Sequence, residues 1–160
     1  MRPIHRATGE RWRAGVEITC CWFDQDVLEI RVSASNGAFS GVAHPYIAHD
    51  ALHGAAAILG RFPETTADRR ELRFGATGEE FAGGFVALDF SCRDSSGHSV
   101  VEVKLESKND SRSEPQWNIR PQTVHFLAAV EAAAVDQFVK ELAQLGATTA
   151  GSAWLQFRRD

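Results

Sequence analysis

The chain has 160 residues, enough for one domain with a true core, and its 44% hydrophobic and 24% charged content is that of an ordinary globular protein. A net charge of −4 gives neither nucleic acid nor an anionic membrane a footing as partner. No apolar run reaches the ~20 residues a membrane helix needs, and the basic N-terminus has no apolar stretch behind it to make a secretory signal.

Residues 1–13 carry Arg2, Arg6, Arg11 and Arg13 against a single acid, Glu10, and read as a basic lead-in to one domain over 14–160. Lysine occurs only at Lys104, Lys108 and Lys140, so 14 of the 17 basic residues are arginine, a bias typical of a GC-rich bacterial genome. From Val16 the period is two. Val16, Ile18, Cys20 and Trp22 share one face, which places Trp22 in the core; Leu28, Ile30, Val32 and Ala34 share a face in the next strand. Asp24–Asp26 and Ser35–Gly37 are the turn signals between strands. A third strand runs over 38–47, with Gly41 marking a bulge and Pro45 an edge or strand end.

The period then changes to about 3.6. Leu52, Ala55, Ala56, Leu59 and Phe62 form one helical stripe, with His49 or Asp50 as N-cap and Pro63 as the stop. Alternation returns over 71–106. Leu72 and Phe74, then Val86, Leu88, Phe90 and Cys92, then Val101, Val103 and Leu105 point inward, and Asp94–Gly97 is a hairpin turn. Residues 107–115 are loop, and a further strand starts near Trp117 and passes Pro121. The second helix puts Val135, Phe138, Val139, Leu142 and Leu145 on one stripe, Asp136, Lys140 and Glu141 in water, and Gly146 at its C-cap. A last strand carries Trp154 on one face and Leu155 and Phe157 on the other. Short turns between strands make the pairing antiparallel. The expected fold is α+β: an antiparallel sheet or open sandwich of seven to eight strands with two helices.

The segment "HDALH" at 49–53 differs by one methylene from H-E-x-x-H, in which two histidines on one helix face bind zinc and glutamate activates the bound water. His49 and His53, with His44 nearby, are therefore the candidate metal ligands, and a metal-binding protein or hydrolase is one reading of the chain. Against it, Asp50 reaches less far than glutamate, and His49 stands at the helix boundary. The glycine-rich "GATGEEFAGG" at 75–84 matches no phosphate-binding pattern and carries Glu79 and Glu80. "SSGH" at 95–98 lacks the nucleophile-elbow spacing and reads as a turn. Cys20, Cys21 and Cys92 are an odd set without C-x-x-C; small core residues with reduced thiols, and hence a cytoplasmic setting, are the expectation. No cofactor motif is present, so no cofactor is expected and no catalytic residue is assigned. Trp12, Trp117 and Trp154 remain as aromatic candidates. Trp117, following a charged loop with Arg112 and Glu114, has the anchor-and-rim composition of a protein-binding surface.

The succession "WFDQDVLEIRVSASNGAFSGVAHPYI", "LGRFP", "ELRFGATGEEFAGGFVALDFSCRDSSGHSVVEVKL" and "VDQFVKELAQL" resembles small bacterial proteins of the WapI-type immunity family over roughly residues 20–146. The resemblance rests on pieces such as "FSG", "GRFP" and "GHSVVEV", which are turns and core strands. It implies an α+β sandwich-like fold, no established enzymatic activity and a toxin as protein partner, and it transfers no binding residue. The readings therefore stand in order: a non-enzymatic protein-binding module; a metal site on His49 and His53; a structural or self-assembling protein. The sequence leaves the oligomeric state open.

Overall fold

A computed structural model describes residues 13–77, 83–107 and 121–159. Among them are nine strands and two helices in the order β1 (Gly15–Phe23), β2 (Leu28–Ser35), β3 (Ser40–Ala43), β4 (Tyr46–Ile47), α1 (Ala51–Leu59), β5 (Arg69–Gly75), β6 (Phe85–Cys92), β7 (Ser99–Ser107), β8 (Gln122–Val130), α2 (Ala132–Thr148) and β9 (Ser152–Gln156). The first sheet has the order β3-β2-β1-β9, with β4 also on β2, and the second the order β5-β6-β7-β8. All pairing is antiparallel. The expected α+β antiparallel architecture is observed. The ninth strand arises because His44 and Pro45 split the anticipated 38–47 strand into β3 and β4.

Alternation does the sorting. Val16, Ile18, Ile30, Val32, Leu72, Phe74, Leu88, Phe90, Val101 and Val103 fall on the inward faces and are sealed from solvent. They join Leu52, Leu59, Val135, Phe138 and Leu142 of the helices in one contiguous core. Each such side chain contributes about 1.5–3 kcal/mol by leaving water. The helices pack on each other, α1 against β5 and α2 against β9.

The segment after β2 crosses the strands of the second sheet instead of following them. A Cβ on Gly41 would stand 2.8 Å from Val124 of β8, one on Gly84 3.0 Å from the Ala43 methyl, and one on Gly75 2.8 Å from Pro45. Thus Gly41, Ala43 and Pro45 pass in turn over β8, the start of β6 and the end of β5. Gly41 marks this close approach; the β2–β3 register runs through it without the expected bulge.

The bulge lies elsewhere. Val16 to Cys20 face Ala34 to Ile30 in regular register, but Trp22 faces Glu29 and Phe23 faces Leu28. One extra residue, Cys21, has entered β1. In an unbroken register Trp22 would oppose buried Leu28; with the bulge it stands opposite Glu29 on the outer face and is 50% exposed. The expectation of a core Trp22 is therefore wrong, and so is that of a core Cys21, which is exposed.

Helix ends also differ from expectation. Asp50 occupies the N-cap position of α1 but its side chain makes no cap bond, and α1 stops at Leu59, before Pro63. Gly146 does not end α2. The helix runs on to Thr148, and Thr149 takes the left-handed cap at φ 54°. Gly146 instead admits α1, since a Cβ there would lie 3.2 Å from the His53 backbone nitrogen. Asp136 and Lys140 are exposed as expected, whereas Glu141 is half-buried and its Oε2 is buried without a hydrogen-bond partner among the described residues. No described helix is long and apolar enough to cross a membrane.

Candidate binding face on the first sheet

The outer face of the first sheet is built by the residues that alternate away from the core. Its rows follow from the register. Trp154, Glu17, Ser33 and Val42 stand side by side across β9, β1, β2 and β3. Gly15, Ser35 and Ser40 form the next row on one side. Thr19 and Arg31 form the next on the other, and beyond the bulge come Trp22, Glu29 and Tyr46. Small residues in the first two rows leave a groove of about 350 Å³, lined by Arg13, Glu17, Arg31, Ser33, Val42 and Trp154 among others. Gly15 is the floor beneath the indole. A Cβ there would come within 2.5 Å of the Trp154 ring.

The groove's charges are not spent on one another. Among the described residues Arg13, Arg31 and Glu17 enter no ion pair, and Arg13 instead lies over the Trp154 ring at 5.1 Å from its centroid. The Trp154 indole Nε1 is buried and has no acceptor among the described residues. An unmet donor of this kind costs about 1–3 kcal/mol.

At the far end of the face lies an aromatic patch, its Trp22 turned outward by the bulge and its Tyr46 placed by the pairing of β4 with β2. Trp22 and Tyr46, 50% and 39% exposed, flank Glu29, and the His44 Nδ1 stands 3.6 Å from the Glu29 carboxylate. Along β1, Gly15 and Trp22 are roughly 20 Å apart at the usual rise per residue. One partner's share of a standard interface, about 800 Å², covers groove and patch together.

The outer face of the second sheet is different. Part of its charge is paired, since Arg73 binds Asp89 and approaches Glu71 and His125 Nε2 lies 2.6 Å from Glu102, while Arg69, Lys104 and Glu106 enter no ion pair among the described residues. Leu127 is 56% exposed there, beside a depression of about 160 Å³ between Arg69, Glu71, Ser91 and Val100. Exposed pairs of this kind contribute about 0–1 kcal/mol each.

The histidine candidates do not assemble a site within the described residues. His49 precedes α1, so His49 and His53 do not occupy successive turns of one helix. The His49 Nε2 donates to the Asp24 carbonyl at 2.8 Å, and His44 is turned to Glu29. No three His, Cys, Asp or Glu side chains among the described residues gather as metal ligands. His98 and Asp94 form a tight pair at 2.6 Å, but on an exposed turn, where Asp94 also accepts from the backbone of Ser96 and His98. The bond from His98 holds the Asp94 carboxyl below its ordinary range. Burial raises the Cys20 and Cys21 thiols, which keeps both protonated and poorly nucleophilic at neutral pH. Trp117, Arg112 and Glu114 lie outside the described residues, as do Glu79 and Glu80.

Sequence reading passed over Arg13, Arg31, Ser33 and Tyr46 as site residues. The signal available was a tryptophan on the polar face of the last strand, opposite Leu155 and Phe157. Comparison with protein families, characterised proteins and solved structures finds no match to this chain.

Proposed function

We propose that this chain is a non-enzymatic protein-binding module whose recognition surface is the outer face of the first sheet. The observation that carries the reading is the Trp22–Glu29–Tyr46 row, two large exposed aromatics that flank a carboxylate. Exposed tryptophan and tyrosine with a polar rim supply the anchors on which protein interfaces depend. The neighbouring Arg13 and Trp154 extend the same composition across the face. The resemblance to immunity proteins gives the reading its specific form: the partner is a toxin, and the module acts by covering it.

The test is capture from a lysate of the source cell on immobilised protein, with surface variants in parallel. Wild type retains a partner. Trp22→Ser combined with Tyr46→Ser weakens retention roughly thirtyfold or more, the loss of about 2 kcal/mol expected for an anchor. Leu127→Ser, on the other sheet, leaves it unchanged. Equal retention by wild type and the double variant contradicts the reading, as does retention of nothing.

A further inference from the structure

We propose that the groove between Trp154 and Val42 receives an acidic, extended peptide segment of the partner; this rests on the protein-binding reading above and names the chemistry of what is bound. Two observations and one chemical rule converge on it. Arg13 and Arg31 bring two guanidiniums against the single carboxylate of Glu17, so the groove is locally cationic on a protein whose net charge is −4. Among the described residues, none of the three is neutralised by an ion pair. Guanidiniums bind carboxylates through parallel N–H···O bonds, which makes aspartate or glutamate side chains the fitting occupants.

The rest of the lining suits a polypeptide better than a free anion or a phosphate backbone. Glu17 repels a uniformly anionic ligand, but it can accept backbone N–H groups of a peptide. The hydroxyls of Ser33 and Ser40 offer further partners, and the Ser35 Oγ already accepts from the Gly37 N–H. Trp154 and Val42 form facing apolar walls for the side chains between the acids. The volume, about 350 Å³, is at the lower end of ligand sites and matches a few residues, not a whole interface. The groove therefore reads a short acidic stretch, while the Trp22 patch supplies a second anchor on the same face.

The experiment is an NMR titration of the full chain with three blocked pentapeptides of alternating leucine: one with aspartate, one with lysine and one with asparagine. The aspartate peptide is expected to move the Trp154 indole resonance and the amides of residues 15–17, 31–35 and 152–156. Its binding should be at least ~10-fold tighter than that of the other two, should weaken with added salt, and should fall ~10-fold or more in Arg13→Gln with Arg31→Gln. Arg13 is exposed and Arg31 half-buried, and an unchanged amide spectrum elsewhere verifies that the double variant folds. Equal binding of the three peptides, shifts confined to other surfaces, or tighter binding of a short single-stranded oligonucleotide at the groove overturns the proposal. If the acidic peptide fails while Trp22→Ser with Tyr46→Ser still abolishes partner capture, the groove assignment falls and the protein-binding reading stands. If capture also fails, both fall.

Discussion

Arg70 shows how one side chain can hold two elements in place. Its guanidinium meets both carboxylate oxygens of Asp68 at 2.8 Å and donates to the Ile58 and Gly60 carbonyls at 2.6 and 3.2 Å. It therefore joins the start of β5 to the C-terminal end of α1, where a cation complements the helix dipole. The side chains of Arg70 and Asp68 are only 19% and 11% exposed, so the pair is sheltered from screening. Arg70→Met should lower stability by about 1.5–3 kcal/mol, as for lost hydrogen bonds to charged groups. Arg73→Met, at a 40% exposed side chain, should cost about 0–1 kcal/mol. The bond from Arg70 lowers the Asp68 pKa below 3.8. A depressed carboxylate stabilises the fold above its unfolded pKa, and the contribution is lost as pH falls through the folded one. Acid titration of thermal stability should thus fall below about pH 4 more steeply for wild type than for Asp68→Asn. Equal slopes would refute the linkage. None of this was legible in the sequence, where Arg70 is one basic residue in a charged run.

At the scale of elements, periodicity alone placed most of the core, because side-chain direction repeats every two residues in a strand and every 3.6 in a helix. In α2 the buried set is Val135, Phe138, Leu142 and Leu145, all on the stripe the spacing predicts. Phe138 is fully buried, and Phe138→Ala should cost roughly 3–5 kcal/mol, whereas Lys140→Ala should change little. Chemical denaturation checks this, and equal midpoints would contradict the packing. The misplacements have a common physical origin. Trp22 is turned outward by an extra residue whose accommodation depends on β2, and Gly146 serves a neighbouring helix instead of its own end. Both are decided by how another element packs or pairs, which the pattern within one element does not register. Gly75 belongs with them: at φ +77°, a Cβ would lie 2.8 Å from the Pro45 side chain, a contact that becomes visible only once the segment after β2 crosses the second sheet.

For the whole molecule, two sheets and two helices around one core leave two outer faces that differ in character. One pairs part of its charge internally; the other carries a groove, exposed aromatics and two arginines that enter no ion pair among the described residues. The candidate site was half legible. Trp154 stood out in sequence as an aromatic without an obvious core role, but the row that joins it to Ser33 and Val42 depends on pairing between strands far apart in the chain. The central claim is that the first sheet's outer face meets a protein partner. Site-specific photo-crosslinking tests it most directly, with a benzophenone amino acid placed at Thr19, between groove and patch, or at Lys104, on the outer face of the second sheet. The account predicts that, in the source cell, the Thr19 position crosslinks to a single protein and the Lys104 position does not. Crosslinks from Lys104 alone, or none from Thr19, would contradict it.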